Sequence, residues 1–444
     1  MRREGADSPG LPPRLAAAAM LGDVMARRLP LDECFAAEAA RSRAAKLDQG
    51  AAALARSIAT VALRRLGTIR AALAELMEKD LPRGAAGVEW ILITGAAQIL
   101  FLDVPDHAAV DLAVRAARLE SRTAPFAALV NAVLRNLIPT RETIRASSDP
   151  LGHDTPPWLA ARWRKNYGEP AARAIAAAHR EEPTLDITPL SDPLPLARKL
   201  AAVLLPTGSQ RLRSHAEITG LPGFAEGEWF VQDAAAALPA RLLRAQPGMR
   251  IADFCAAPGG KTAQLAAAGA EVTAIDRSAE RLKKLAANLA RLKLRADIIV
   301  ADAATLRASQ PFDAILVDAP CLGTGTIRRH PDIAWIKRPH DLAGLTALQA
   351  RLLDKAAELV KPGGIIVYST CSLEPEENEM QILALLRRNP ALERDPIAAG
   401  EIGGLTELLN ANGELRTLPT HIPAAEPRLA GLDGFYAARL VRAG

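Results

Sequence analysis

A regular alternation of strand-like and helix-like segments, from about residue 236 to residue 371, constrains the fold more than any other feature. Five apolar runs have the length of buried strands, and helical segments separate them, including an amphipathic one that begins at the capping residue Ser278. Such alternation predicts an α/β fold with a doubly wound parallel sheet, whose ligand crevice lies at the carboxyl ends of the strands. The five runs are "MRIADFC", "EVTAID", "ADIIVADA", "FDAILVDAP" and "GIIVYSTC".

The chain before this alternation has a different character. From about 14 to 147 apolar residues recur at helical spacing between short breakers, without an alternating strand run, so we predict an all-α bundle. The stretch 148–235 carries isolated prolines, glycines and short apolar runs, which indicate a small mixed connecting domain. We therefore expect three domains, at 1–147, 148–235 and 236–444.

Composition and charge limit the class of protein. With 49% hydrophobic and 24% charged residues the chain is typical of a soluble globular protein, and its net charge of +5 permits a polyanionic partner without demanding one. The most apolar stretch, 91–102, is too short to span a membrane. The four cysteines lie far apart without the spacing of metal ligands, which argues against a disulfide framework and a zinc site. We expect a cytoplasmic protein without metal, and a monomer.

The stretch "FCAAPGGKT" at 254–262 resembles a phosphate-binding P-loop only at its end. Such a loop needs a glycine five residues before Gly260, where this chain has Cys255, and Pro258 lacks a backbone donor that a phosphate would use. A dinucleotide fingerprint also fails because the glycines are the adjacent pair Gly259 and Gly260. The stretch therefore predicts a tight turn and a helix N-terminus whose amides receive polar atoms.

Three acidic residues at successive strand ends indicate the ligand. Asp276 ends the second strand, where a carboxylate accepts hydrogen bonds from ribose hydroxyls, and Asp302 and Asp318 follow the third and fourth strands. Three carboxylates repel a triphosphate in the absence of metal but suit a cationic centre. S-adenosylmethionine, which has a sulfonium, a ribose and an adenine, fits this crevice best.

Two cysteines indicate the reaction. Cys321 follows the fourth strand and Cys371 the fifth, and these strands are neighbours in a methyltransferase-like sheet. A thiolate that adds to carbon 6 of a pyrimidine makes carbon 5 nucleophilic enough to attack a sulfonium methyl. The target base must leave its stack to reach such a site. These considerations do not rank the two thiols, whereas Cys34 and Cys255 are interpreted as small apolar side chains.

Two clusters of basic and aromatic residues are candidate RNA contacts. One follows Cys321 in "TIRRHPDIAWIKRPH", and the other lies in "PPWLAARWRKNYGEP", where an amphipathic helix with solvated charges is an equally good interpretation. The predicted RNA-binding residues are Arg328, Arg329 and His330 in the first cluster and Arg162, Arg164 and Lys165 in the second.

Three motifs together resemble a known family. "DFCAAPGGKT", "DAPCLGTGTIRRHPD" and "YSTCSLEPEENE" are similar to the signature motifs of the Sun-type RNA cytosine-5 methyltransferases. The helical segments "PDHAAVDLAV" and "VNAVLRN" resemble the NusB-like domain of the bacterial RsmB branch, which modifies small-subunit ribosomal RNA. The resemblance implies a NusB-like helical domain followed by a Rossmann-like catalytic domain that transfers methyl groups from S-adenosylmethionine to cytosine in 16S ribosomal RNA.

The resemblance also assigns residues. It implies that Cys371 is the nucleophile, that Cys321 assists product release, and that Asp318 lies near the target base. Leu322 stands where the family commonly has serine, so a hydroxyl contact beside the base is lost. The implied cofactor contacts are Cys255, Ala256, Ala257, Pro258, Gly259, Gly260, Lys261, Asp276, Asp302 and Asp318.

Alternative functions remain open from the sequence. Transfer RNA is an alternative substrate, because the choice of RNA depends on the shape of the RNA surface that the first two domains recognise. A non-catalytic RNA-binding or assembly factor would need neither the thiol pair nor the three acids. A nucleotide hydrolase is disfavoured by the missing first glycine of the loop.

Overall fold

The computed structural model describes residues 10–43, 48–77, 79, 81–82, 85–213 and 217–444. Within it the chain forms two compact units. The first runs to Arg180 and also includes Arg329–Arg338, and the second consists of Glu181–Arg328 and Pro339–Gly444. The three-domain division expected from the sequence stays a prediction, and its first nine residues lie outside the described part of the chain.

The first unit is helical in its described part, as the sequence predicts. α1 begins with prolines in its first turn, where the missing amide donor costs nothing, and the side chain of Asp48 caps α3 by accepting from Ala51 N. α5 is apolar on all sides because the other helices surround it. The helices are α1 (Leu11–Arg27), α2 (Leu31–Arg43), α3 (Gln49–Arg64), α4 (Leu66–Leu76), α5 (Ala86–Phe101), α6 (Asp106–Leu119), α7 (Ala127–Ser147) and α8 (Pro157–Arg180), which Gly168 interrupts.

The inserted segment Arg329–Arg338 packs within this helical unit. It contains the short helix α13 (Ile333–Ile336), and Ile336 is buried in the helical core. The indole Nε1 of Trp335 donates to Leu63 O at 2.9 Å, and Leu31 N donates to Asp332 Oδ2 at 3.1 Å. The segment is therefore part of the helical unit, although it follows the Cys321 motif in sequence.

The second unit begins with a small antiparallel sheet. Its strand order is β2-β3-β1-β4. Arg211 and Asp186 form a fully buried ion pair inside it, with Nε–Oδ1 and Nη2–Oδ2 distances of 2.6 and 2.8 Å. The elements are β1 (Asp186–Pro189), α9 (Pro193–Leu200), β2 (Val203–Leu204), β3 (Gln210–Arg211) and β4 (Trp229–Val231).

The larger sheet of the second unit has the order β10-β12-β9-β8-β5-β6-β7, with β11 beside β12. Strands β9, β8, β5, β6 and β7 are parallel and correspond to the five predicted runs. The strands are β5 (Arg250–Phe254), β6 (Glu271–Asp276), β7 (Asp297–Val300), β8 (Phe312–Asp318), β9 (Val360–Thr370), β10 (Leu392–Arg394), β11 (Leu415–Arg416) and β12 (Tyr436–Arg442).

Helices precede, connect and follow the parallel strands of the sheet. They are α10 (Leu238–Leu242), α11 (Gly260–Ala267), α12 (Ala279–Leu292), α14 (Asp341–Leu359) and α15 (Glu379–Arg388). Ser278 caps α12 through its hydroxyl, which accepts from Arg281 N, as its position in the sequence predicts. No helix in the described part of the chain is long and apolar enough to cross a membrane.

Candidate active site

The turn between β5 and α11 forms one wall of the crevice. Gly259 caps α11 with φ 103°, and Cys255 also has a positive φ of 61°. A Cβ on Gly259 would lie 2.6 Å from Leu285 Cγ, so neither the backbone angle nor the space accommodates a side chain. This close packing brings the amides at the start of α11 to the carboxyl edge of the sheet.

Gly259→Ala is expected to weaken S-adenosylmethionine binding by at least about ten-fold. The left-handed backbone alone costs an alanine about 1–2 kcal/mol, and the turn must also move away from Leu285. Titration calorimetry measures the change. Gly344→Ala is the matched control, because a Cβ at that position of α14 meets nothing within 4 Å and should leave the affinity unchanged.

Asp276 is held rigidly at the end of β6. Its side chain is 6% exposed, and its oxygens accept from Ser278 N at 2.9 Å and Ala257 N at 3.2 Å. The guanidinium of Arg281 lies 3.4 Å from Oδ2. Each carboxylate oxygen keeps a lone pair for a further donor, which suits the two hydroxyls of a ribose.

The crevice beside Asp276 has both polar and apolar walls. Asp302 accepts from Ala304 N at 3.0 Å, and Arg351 Nη2 lies 3.6 Å from its other oxygen. Carboxylates at the strand ends and flat apolar surface beyond them match the chemistry of an adenosine, so the residues fit the predicted cofactor. The lining residues are Cys255, Ile275, Asp276, Arg277, Ser278, Arg281, Ala301, Asp302, Ala303, Pro320, Leu348 and Leu352.

Lys261 contacts a carboxylate at the end of the neighbouring strand. Its Nζ lies 2.8 Å from Asp318 Oδ2 and 5.1 Å from the centre of the Phe435 ring. Ser369 Oγ donates to the other oxygen of Asp318 at 2.9 Å. β5, β8 and β9 are adjacent, which is why these three side chains meet. An acid held from two sides in this way keeps a fixed direction toward the crevice.

The two predicted site cysteines meet. β8 and β9 pair in parallel, with Asp318 beside Ser369, and the sulfurs of Cys321 and Cys371 beyond them lie 3.4 Å apart. The hydrogen bond to Cys371 and burial raise the pKa of Cys321 well above its ordinary value. Cys321 is therefore a thiol at neutral pH and carries a proton beside Cys371.

The other two cysteines have the inert character expected of them. Cys34 is 2% exposed in the helical core, and burial raises its pKa to about 11. Burial raises the pKa of Cys255 to about 12. Neither thiol forms a thiolate readily near neutral pH.

Sequence reasoning missed a buried acid next to the cofactor turn. Asp253 is fully buried in β5, its Oδ2 accepts from Thr262 Oγ1 at 2.6 Å, and its Oδ1 has no hydrogen-bond partner among the residues that the structure describes. Burial raises its pKa to about 7. The signal was an aspartate inside a strand run, since an acid at such a position must find a donor or a proton.

The structure contradicts one of the predicted RNA contacts. Arg328 is 2% exposed, its Nε lies 3.5 Å from Asp433 Oδ1, and its Nη2 donates to Ala430 O at 3.4 Å. A buried arginine that neutralises an internal acid is not available to a phosphate. Its neighbours Arg329 and His330 belong to the inserted segment of the helical unit, where His330 is exposed and its Nδ1 lies 3.8 Å from Asp32 Oδ2.

The second predicted RNA cluster lies on α8. Arg164 and Lys165 are exposed, and Arg164 Nε lies 2.7 Å from a carboxylate oxygen of Glu169. Arg162 is half-buried. Trp163 is buried with its ring edge-on to that of His179, so this aromatic residue serves the core and not a stacked base. The RNA contacts of Arg162, Arg164 and Lys165 stay predictions.

A doubly wound sheet whose strand ends carry a glycine turn, an adenosine crevice and a thiol pair defines an S-adenosylmethionine-dependent methyltransferase. The family model described as 16S rRNA methyltransferase RsmB/F matches residues 240–441, and the NusB family model matches residues 11–139. The chain belongs to the RsmB/F family of 16S rRNA methyltransferases.

Two relatives are similar to this protein over most of its length. Ribosomal RNA small subunit methyltransferase B of Xylella fastidiosa is 36% identical over 456 residues, covering 98% of this chain and 99% of that protein. The protein of the same name from Vibrio cholerae is 37% identical over 355 residues, or 76% of this chain and 82% of its own length. The crystal structure of a methyltransferase homologue from Pyrococcus horikoshii has a TM-score of 0.54 at 30% identity, covering 66% of this chain and 96% of its own.

Proposed function

We propose that this protein methylates carbon 5 of a cytosine in 16S ribosomal RNA through a covalent adduct with Cys371. The observation that carries the proposal is the pair of sulfurs, 3.4 Å apart at the ends of adjacent strands, beside a fixed carboxylate. The relatives in Xylella fastidiosa and Vibrio cholerae are named as methyltransferases of small-subunit ribosomal RNA. The names of these relatives favour ribosomal RNA over transfer RNA as the substrate.

Bound S-adenosylmethionine supplies an electrophilic methyl group on its sulfonium. The Cys371 thiolate forms a bond to carbon 6 of the cytosine, and the π electrons of the 5,6 double bond shift to carbon 5. Carbon 5 takes the methyl group as the bond between that group and the sulfonium sulfur breaks, and the electron pair of the broken bond stays on the sulfur. A base then removes the proton on carbon 5, the double bond re-forms, and the sulfur leaves carbon 6. The protein thus converts an unreactive ring carbon into a transient nucleophile.

Asp318 and Lys261 orient the base in this scheme. The Asp318 carboxylate, held by Lys261 at 2.8 Å and Ser369 at 2.9 Å, accepts a hydrogen bond from the exocyclic amine of cytosine. A uracil offers an oxygen at that position and would be repelled. Cys321, which retains its proton next to Cys371, assists the release of the methylated product.

The helical region supplies RNA recognition in this proposal. We assign RNA binding to the predicted domain 1–147, which the NusB family model matches over most of its length, and further RNA contacts to 148–235. The four cysteines are free thiols, which suits a reducing cytoplasm. We propose that the protein acts there as a monomer.

Bisulfite sequencing of total RNA from cells with and without the protein tests the function. One cytosine of 16S ribosomal RNA should resist conversion only when the protein is present, and transfer RNA should be unchanged. In vitro, purified protein and labelled S-adenosylmethionine should label a 16S transcript. If only transfer RNA were labelled, transfer RNA would be the substrate instead of ribosomal RNA. Absence of S-adenosylmethionine binding in calorimetry would favour a non-catalytic assembly factor.

A further inference from the structure

We infer that two adjacent residues, Glu377 and Asn378, each position one of the two cysteine loops and thereby set the distance between the thiols. Glu377 holds the loop of Cys321, and Asn378 holds the loop of Cys371. Both lie where the turn Pro375–Glu377 leads into α15, and neither side chain belongs to the cofactor crevice. The inference rests on the proposed covalent mechanism, because it assigns each residue to one step of that mechanism.

Glu377 fixes the backbone on one side of Cys321. Its side chain is fully buried, and its two oxygens accept from Leu322 N at 3.0 and 3.2 Å. Gln349 Nε2 donates to the same carboxylate at 3.0 Å and to Pro320 O at 2.9 Å. The backbone groups immediately before and after Cys321 are therefore bound to one connected pair of side chains.

Asn378 fixes the loop of Cys371 in a parallel way. Its Oδ1 accepts a short hydrogen bond of 2.5 Å from Thr370 Oγ1, which itself accepts from Ser372 N at 3.2 Å. Its Nδ2 donates to Ser372 O and to Glu374 O, both at 2.9 Å. Both chain neighbours of Cys371, Thr370 and Ser372, are therefore hydrogen-bonded to the side-chain amide of Asn378.

The turn that carries both residues is anchored to the sheet. Tyr368 in β9 donates its hydroxyl proton to Glu377 O at 2.6 Å, and Glu377 N donates to Glu374 O at 3.1 Å. Because Glu377 and Asn378 are consecutive, a peptide bond fixes the separation of their backbones. The same turn therefore holds both loops in place, although Cys321 and Cys371 lie fifty residues apart in the sequence.

The electrostatics agree with this geometry. Burial raises the pKa of the Glu377 carboxyl above its ordinary value, and hydrogen bonds from Ser372, Gln349 and Leu322 oppose that rise. The charge of Glu377 is among the causes that raise the pKa of Cys321. An ionised Glu377 therefore helps to keep Cys321 protonated while Cys371 attacks.

Two variants separate the roles in a single-turnover assay that follows the protein–RNA adduct on denaturing gels. Glu377→Ala frees the Cys321 loop, so we expect adduct decay to slow by about ten-fold while adduct formation changes by less than about three-fold. Asn378→Ala frees the Cys371 loop, so we expect adduct formation to slow by about ten-fold without accumulation of adduct. Glu377→Gln keeps an acceptor for Leu322 N and should partly restore decay.

Controls make the result decisive. Glu358→Gln, on the same helix as Gln349 but with an exposed side chain paired with Lys355, should behave as the unmodified protein. Thermal melting and the S-adenosylmethionine affinity measured by calorimetry show whether each variant keeps its fold. If an alanine variant has a lowered melting temperature, Glu377→Gln or Asn378→Ser is used in its place. Equal slowing of both steps by both variants would overturn the inference. Unimpaired methylation by Cys371→Ala would instead overturn the proposed function.

Discussion

Cys371→Ala is expected to lower methyl transfer by about 10⁴-fold or more while RNA and S-adenosylmethionine still bind. Without the sulfur no bond forms at carbon 6, and carbon 5 of cytosine is too weak a nucleophile to attack the methyl group. The fold should persist, because the side chain is half-buried and its loop is held through backbone and hydroxyl groups. Incorporation of labelled methyl into a 16S transcript measures the rate.

The matched control is the cysteine of the helical core. Cys34→Ala makes the same substitution at a thiol that is 2% exposed and has a pKa of about 11. Methyl transfer by this variant should continue. Filter retention of labelled RNA shows whether Cys371→Ala still binds its substrate. Continued methylation of cytosine by Cys371→Ala would show that another group is the nucleophile and would leave Cys321 as the candidate.

Cys321→Ala is expected to trap the protein on its RNA. The adduct forms because Cys371 is intact, but the step that expels its sulfur from carbon 6 lacks the neighbouring thiol, which lies 3.4 Å away in the unmodified protein. A denaturing gel should show a retarded protein band that requires both RNA and S-adenosylmethionine, and turnover beyond the first cycle should fall by about 10²-fold or more.

The double variant Cys321→Ala/Cys371→Ala identifies the bond. It should lack the retarded band, because the sulfur that forms the adduct is gone. Nuclease treatment of the trapped species should leave a nucleotide on the peptide that contains Cys371. If Cys321→Ala turns over normally without a retarded band, Cys321 has no part in release.

The sequence predicts the parallel half of the catalytic sheet and the meeting of its strand-end residues. Strands β5, β6 and β8 and the second half of β9 are mostly buried apolar runs, and this pattern is readable without knowledge of their partners, whereas β7 is an equally apolar run with exposed side chains. The encounter of Cys321 and Cys371 follows from the adjacency of β8 and β9, which this class of sheet has in common. Residue type and strand order therefore suffice for the acids and the thiols.

Other parts depend on contacts that no local pattern encodes. β12 reads "YAARLVR", which is rich in helix formers, and it is a strand because it pairs with β9 on one side and β10 on the other. β9 starts at Val360, four residues before the predicted run "GIIVYSTC" begins at Gly364. The burial of Arg328 depends on Asp433, which lies more than a hundred residues later. Glu377 and Asn378 belong to the motif "YSTCSLEPEENE", but no pattern in the sequence reveals their contacts with the two cysteine loops.

The insertion of Arg329–Arg338 into the helical unit affects how this architecture can be taken apart. The chain passes between the two units three times, after Arg180, after Arg328 and after Arg338. A fragment that begins at Glu181 would retain Trp335 and Ile336 but lose the helices against which they pack. Separation of the chain into two fragments at a single junction would thus leave this apolar segment without the helices against which it packs. We expect such fragments to aggregate unless Trp335 and Ile336 are also replaced by polar residues.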